Sequence, residues 1–141
     1  MSTFDAIKSV AASGMAAQRL RVQLAAANIA NSETTRTPEG GPYRKKEPVF
    51  QELLMGATQD GTPLTGVQVA GIQASSDPFI SKYDPNHPDA DANGIVQYPN
   101  VNPVEEMVNL TEASRSFEAN IAVVRSVRTM ELSAQDLLRV Q

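Results

Sequence analysis

The chain has 141 residues, enough for one domain with a core of modest size. It contains no Cys and no Trp, and only 5% of it is aromatic, which excludes disulfides and cysteine-based metal sites and leaves few side chains to anchor a compact interior. The net charge of −4 is uneven: residues 1–50 carry seven basic and four acidic side chains, whereas 51–100 carry one and six, a balance that argues against nucleic acid as the main partner.

In chain order, the first expected element is a helix capped by Ser2 or Thr3, with Asp5 complementing the dipole in its first turn. Ile7, Val10, Ala17, Leu20 and Leu24 follow a helical period, and Phe4, Met15, Val22 and Ile29 lie on an adjoining face. Nine of the first thirty residues are Ala, which favours helix and close backbone approach but buries little area per residue. Because apolar residues span more than the usual stripe of about 100°, a packed interface is expected rather than an ordinary surface helix. Gly14 marks either a tolerated imperfection costing about 1 kcal/mol or a close helix crossing. The helix should stop near Asn31, a residue able to take the left-handed C-cap conformation, and Asn28 reads as a cap residue as well. The first segment is therefore residues 1–35.

Residues 36–101 are a different material. All nine prolines lie between Pro38 and Pro103, and seven of the eight glycines between Gly40 and Gly94. Within this insert, Tyr43 to Phe50, Val67 to Gln73, Phe79 to Tyr83 and Ile95 to Tyr98 read as short strands, the first an edge strand because of Pro48. Arg44-Lys45-Lys46 reads as a solvated strand face or, less commonly for such a triplet, a patch for an acidic partner. His87 lies between two prolines, in a turn rather than a catalytic pocket, and no carboxylate pair, nucleophile elbow or phosphate-cradling loop accompanies it. Asp89, Asp91 and Asn93 match the start of a calcium-binding loop, but the position that needs a bidentate Glu is Asn100. They are weak metal candidates, and an acidic turn closing on Asn93-Gly94 is the simpler reading. No cofactor is expected.

The third segment, 102–141, opens with Asn102 as cap, Pro103 in the first helical position and Glu105 where a capping box places its acid. Nothing from Val104 to Val140 interrupts a helix, giving a rod of about 55 Å at 1.5 Å per residue. Met107, Leu110, Ser114, Phe117, Ile121 and Val124 form a heptad seam, after which the phase slips to Val127, Met130, Ala134 and Leu137. The expected fold is mainly α with a small β insert, its two terminal helices paired as an antiparallel coiled coil. No uncharged run is long and apolar enough to span a membrane, since the longest, Gly61 to Ser76, is half polar. The N-terminus lacks the basic-then-apolar order of a cleaved signal peptide.

Ser13-Gly-Met-Ala-Ala-Gln-Arg-Leu-Arg-Val22 followed by Ala27-Asn-Ile-Ala-Asn-Ser-Glu-Thr-Thr35 resembles the N-terminal signature of the bacterial flagellar rod and hook family. Tyr98-Pro-Asn-Val-Asn-Pro-Val-Glu-Glu-Met-Val-Asn-Leu110, with Arg115-Ser-Phe-Glu-Ala-Asn120, resembles the matching C-terminal signature. The short insert, with His87-Pro-Asp-Ala-Asp-Ala-Asn-Gly94 leading into the second signature, is most similar to that of proximal-rod members; Ile95 stands where similar proteins often carry an aromatic residue. The resemblance marks Asn28, Asn31, Asn100, Asn102, Glu105, Glu106 and Asn120 as motif residues. It implies a structural subunit of the basal-body rod, not an enzyme. Such a subunit would be exported without a cleaved signal through the flagellar type III apparatus, assembled with copies of itself and other rod subunits across the periplasm inside the basal-body ring, and would carry torque to the hook. Assembly contacts are then expected at Ile7, Val10, Leu20, Leu24, Ile29, Met107, Leu110, Phe117, Ile121, Val124, Val127 and Leu137. A helical-hairpin adaptor, a small calcium-binding module or another rod subunit of the family are the alternatives.

Overall fold

The structure, a computed structural model, describes residues 3–58 and 61–139. The caps and ends expected at Ser2 and Val140 therefore lie outside the described residues. Six elements follow in order: helix α1 (Thr3–Ala30), strands β1 (Lys46–Ala57), β2 (Pro63–Ala74), β3 (Ile80–Tyr83) and β4 (Ile95–Tyr98), and helix α2 (Pro103–Arg139). Both helices exclude Pro from their interiors, and α2 starts with Pro103 in its first turn, where a missing N–H is harmless. Asn102 caps it as expected: its Oδ1 accepts from the Val104 N–H at 3.1 Å. Glu105 departs from the expected capping box and reaches Lys45 Nζ at 3.4 Å instead.

The insert holds two separate antiparallel hairpins, β1–β2 and β3–β4. The first is larger than the short strands expected. Its strands are 12 residues each and pair from Lys46↔Ala74 to Ala57↔Pro63. The missed extension, 51–57, continues the ladder past register shifts at Val49/Phe50 and Leu54/Gly56, the second of which leaves Met55 without a partner in it. Gly56, at φ 126, supplies backbone freedom at the second shift. Tyr43, Arg44 and Lys45 precede the strand rather than lie in it. In the second hairpin, Ile80↔Tyr98 to Tyr83↔Ile95 are paired, and Gly94 at φ 75 closes the connecting loop.

The β1–β2 hairpin docks on α1 through a glycine. A Cβ at Gly66 would lie 2.7 Å from Ser13 Oγ and 2.5 Å from Met55 Sδ. Ser13 Oγ also accepts from the Val67 N–H at 3.2 Å and donates to the Val10 carbonyl at 2.7 Å. Gly66→Val should therefore overpack this junction and destabilise the chain by about 2 kcal/mol, read as a lower urea midpoint.

Contacts between the helices run in opposite order along the chain: Lys8 with Glu131 (3.0 Å), Arg21 with Glu112 (4.0 Å), Asn28 with Glu106 (2.9 Å). A Cβ at Gly14 would meet Asn120 Nδ2 at 3.1 Å, so Gly14 is a point of close helix approach. The burial pattern of α2 corrects the expected seam. Its most covered side follows Glu106, Leu110, Ala113, Phe117, Asn120, Val124, Val127, Glu131 and Ala134, a 3-4 spacing without a phase slip. Leu110, Phe117, Val124, Val127 and Ala134 of the expected seam lie on this side. Of the expected seam, Met107, Met130 and Leu137 are exposed, with buried Glu106 beside Met107 in its place, whereas Ser114 and Ile121 are half-buried at the edge of the covered side. The covered side of α1 likewise includes Val10, Gly14, Ala17, Arg21, Leu24 and Asn28.

Among the described residues the buried apolar set is Ala6, Ala11, Ala17, Leu24, Ala25, Val96, Val101, Ala113 and Val127. Five of these nine are alanine, so close approach, not bulk, is what the helices bury. Large apolar side chains stay on the surface instead.

Candidate functional site

The chain's polar motif residues converge where α1 ends, β1 begins and α2 begins. Asn28, 1% exposed, is the centre. Its Nδ2 donates to Glu106 Oε2 (2.9 Å) and to the Lys46 carbonyl (3.0 Å), while its Oδ1 accepts from Tyr43 Oη and from the Lys46 N–H, both at 3.0 Å. All its hydrogen-bonding capacity is used between elements, so Asn28 is not a cap residue. A cap faces its own helix; this side chain faces two other segments. Glu106, 2% exposed, also accepts from Asn109 Nδ2 at 3.2 Å and pairs with Lys45 Nζ at 3.2 Å.

Lys45 is the second centre, with Nζ 3.2 Å from Glu47 and 3.4 Å from Glu105 as well as bonded to Glu106. The solvated basic face expected for 44–46 is thereby corrected at Lys45, while Arg44 and Lys46 are exposed. The Lys45 side chain is 13% exposed, and Arg44 lies 4.2 Å over the Phe79 ring while donating to the Ser75 and Asp77 carbonyls. The signal was present in the sequence as acids on α2 without a local base. Glu105, Glu106 and Glu112 precede the first Arg of that helix, Arg115.

Asn100 ties the second hairpin in. Its Oδ1 accepts from the Lys45 N–H at 2.9 Å and its Nδ2 donates to the Asp77 carbonyl at 3.1 Å. Asn31 sits just beyond α1, and its N–H and Nδ2 both donate to the Ala27 carbonyl (3.1 and 2.8 Å). The left-handed C-cap expected there does not form: among the described residues no non-glycine has a positive φ. The Asn31 side chain closes the helix end without it.

Burial pushes the Lys45 ammonium down, but hydrogen bonds to Glu106 and Glu47 and the added charge of Glu105 outweigh it, holding Lys45 above the ordinary lysine range. Burial, then the Glu106 charge, raises the Tyr43 phenol. Both folded-state values exceed the unfolded ones, so both contributions are complete below the ordinary values and fade as pH rises through the folded ones. Stability should consequently hold through neutral pH and fall only above about pH 10, where unfolded Tyr and Lys begin to lose protons. Urea unfolding between pH 8 and 12 checks this, and Lys45→Met should flatten the decline.

Asp89 accepts from Thr35 Oγ1 at 2.8 Å and pairs with Arg36, while Asp91 Oδ1 accepts from the Asn93 and Ile95 N–H groups at 2.8 and 2.9 Å. These carboxylates close a turn and tie it to residues after α1. Among the described residues no group of three or more His, Cys, Asp or Glu side chains is placed to hold a metal ion.

The residues expected at assembly contacts divide by exposure. Leu24 and Val127 are buried; Val10, Leu20, Ile29, Leu110, Phe117, Ile121 and Val124 are half-buried; Ile7, Met107 and Leu137 are exposed. The site is a clasp of polar side chains with no nucleophile paired to a base, and what it does is hold both chain ends to the insert.

Comparison with known proteins places both ends of the chain. Residues 9–36 match the family described as flagella basal body rod protein, and residues 92–137 match the flagellar basal body rod FlgEFG protein C-terminal family. Among individual relatives, the flagellar basal-body rod protein FlgC of Borreliella burgdorferi is 41% identical over 99% of each chain. The FlgC of Salmonella typhimurium is 44% identical over 93% of this chain and 95% of its own, and that of Bacillus subtilis is 36% identical over 97% and 99%.

Proposed function

This chain belongs to the FlgC family of flagellar basal-body rod proteins, and from that membership we propose that it is a proximal-rod subunit whose two helices form an antiparallel coiled coil. The family is structural, and its members assemble with other rod components. On this reading the subunit polymerises with copies of itself and other rod subunits into a shaft inside the basal-body ring. It crosses the periplasm and carries torque from motor to hook. The observation that carries the reading is the combination of a thin, alanine-rich interior with exposed Val104, Met107, Val108, Val123, Met130, Leu132, Leu137 and Leu138 on one helix. A shaft needs stiffness, and stiffness comes from apolar surface that becomes buried only between subunits. A heterologous contact that does not close produces a helical polymer. Among the described residues no helix is long and apolar enough to cross a membrane.

Export through the flagellar apparatus without a cleaved signal is part of the same proposal. Removing residues 2–10 should abolish appearance of the protein outside the cytoplasm while leaving synthesis intact. Normal secretion of the truncated chain, or a basal body that assembles in a strain lacking the whole chain, would count against the proposal.

A further inference from the structure

Helix α2 carries two exposed apolar patches at opposite ends, with no large apolar side chain exposed between them. Near its start, Val104, Met107 and Val108 are 68%, 55% and 54% exposed. Toward its end, Val123, Met130 and Leu137 recur every seven residues and are 43%, 56% and 74% exposed. Between the two, the exposed positions are Thr111, Glu112, Arg115, Glu118, Ala119 and Ala122, all polar or small. A seven-residue repeat is the period at which a helix keeps one side against a neighbouring helix. Here that repeat lies three residues on from the covered positions Asn120, Val127 and Ala134, and its exposure shows that α1 does not cover it.

Charge distinguishes the two ends. From Pro103 to Ser114 the helix has Glu105, Glu106 and Glu112 and no base. Glu105 and Glu112 pair with Lys45 (3.4 Å) and Arg21 (4.0 Å) yet keep 59% and 65% of their side chains exposed, and Lys45 is shared with Glu47 and Glu106, so acid stays in excess at this end. Beyond Val123 the helix exposes Arg125, Arg128 and Arg139 against Asp136, since Glu131 is taken by Lys8 at 3.0 Å. An acidic apolar patch and a basic apolar patch on one rod-shaped element are complementary to each other and not to themselves.

We propose that the patch Val104–Met107–Val108 of one subunit seats on the Val123–Met130–Leu137 stripe of a second copy of this chain, acid end against basic end. The contact rests on the reading of the chain as a rod subunit and names the surface by which copies join. Because each copy presents both halves, the contact is head-to-tail and extends rather than closing into a dimer.

The chain has no Cys, so within it only the engineered thiols react. Val108→Cys and Met130→Cys, both at exposed positions, are co-expressed in cells lacking the native chain, and purified basal bodies are treated with a short bis-maleimide. Met107→Cys with Leu137→Cys serves as the second pair. The expected product is a dimer joining the two different variants, severalfold more abundant than dimers within either variant. Predominance of same-variant dimers would make the contact self-complementary and overturn the proposal. Cross-linking to a protein of another mass, or incorporation into basal bodies without any cross-link, would overturn it while leaving the rod assignment standing. Absence of the chain from basal bodies would overturn both.

Discussion

Asn28→Ala should destabilise the chain by about 3 kcal/mol, more than any substitution of an exposed residue. The change removes four hydrogen bonds at once and leaves the Tyr43 hydroxyl and the Lys46 N–H and carbonyl without their partner. It also strips a donor from the Glu106 carboxylate, which is 2% exposed. Each buried polar group left unsatisfied costs about 1–3 kcal/mol, more where the group is charged, and partial entry of water offsets part of the sum. Tyr43→Phe is the graded control: it removes one donor to the same oxygen and should cost about 1 kcal/mol. Urea unfolding of the two variants checks the ratio. Equal effects would mean that the clasp already admits water. In cells, Asn28→Ala should abolish motility and leave secretion unchanged, because the clasp forms only after the chain has folded.

Val127→Asp should have an effect of similar size by a different route. Val127 is 4% exposed and lies on the side of α2 that faces α1. The base across the seam one turn on, Lys8, is already held by Glu131 and Asp5, and an unpaired buried charge costs several kcal/mol. The same substitution at Ile121, which lies one residue beyond Asn120 and is half-buried, should cost less, because a short rotation of the side chain brings its charge to water. Circular dichroism melting of both variants reads the difference. Should Ile121→Asp prove the more damaging, the seam would run through Met107, Ser114 and Ile121 after all. Val127→Ala, which removes bulk without adding charge, should lower stability by about 2 kcal/mol and separate loss of packing from buried charge.

The two terminal helices, the turn of the second hairpin and the family are legible in the sequence alone because they depend on local chemistry. Confining proline to 38–103 leaves two uninterrupted terminal helices, and the Asn102-Pro103 step starts the second of them whatever it packs against. Asn93-Gly94 closes the second hairpin for the same reason, since Gly94 alone meets the φ of 75 that the turn requires. The paired signatures at 13–35 and 98–120 identify the rod family without reference to geometry. Only the tertiary structure decided which residues the helices hide. Apolarity pointed to Met107 for the seam, yet Met107 is exposed and Glu106 is buried in its place. A glutamate can be buried when its partners are supplied from elsewhere: Lys45 is 61 residues away along the chain and Asn28 is 78. No local pattern carries that information, because burying a polar group is favourable or prohibitive according to what lies opposite it. The same reason turned Asn28 from an apparent cap into the centre of the clasp, and Lys45 from a surface base into the counter-ion of three acids.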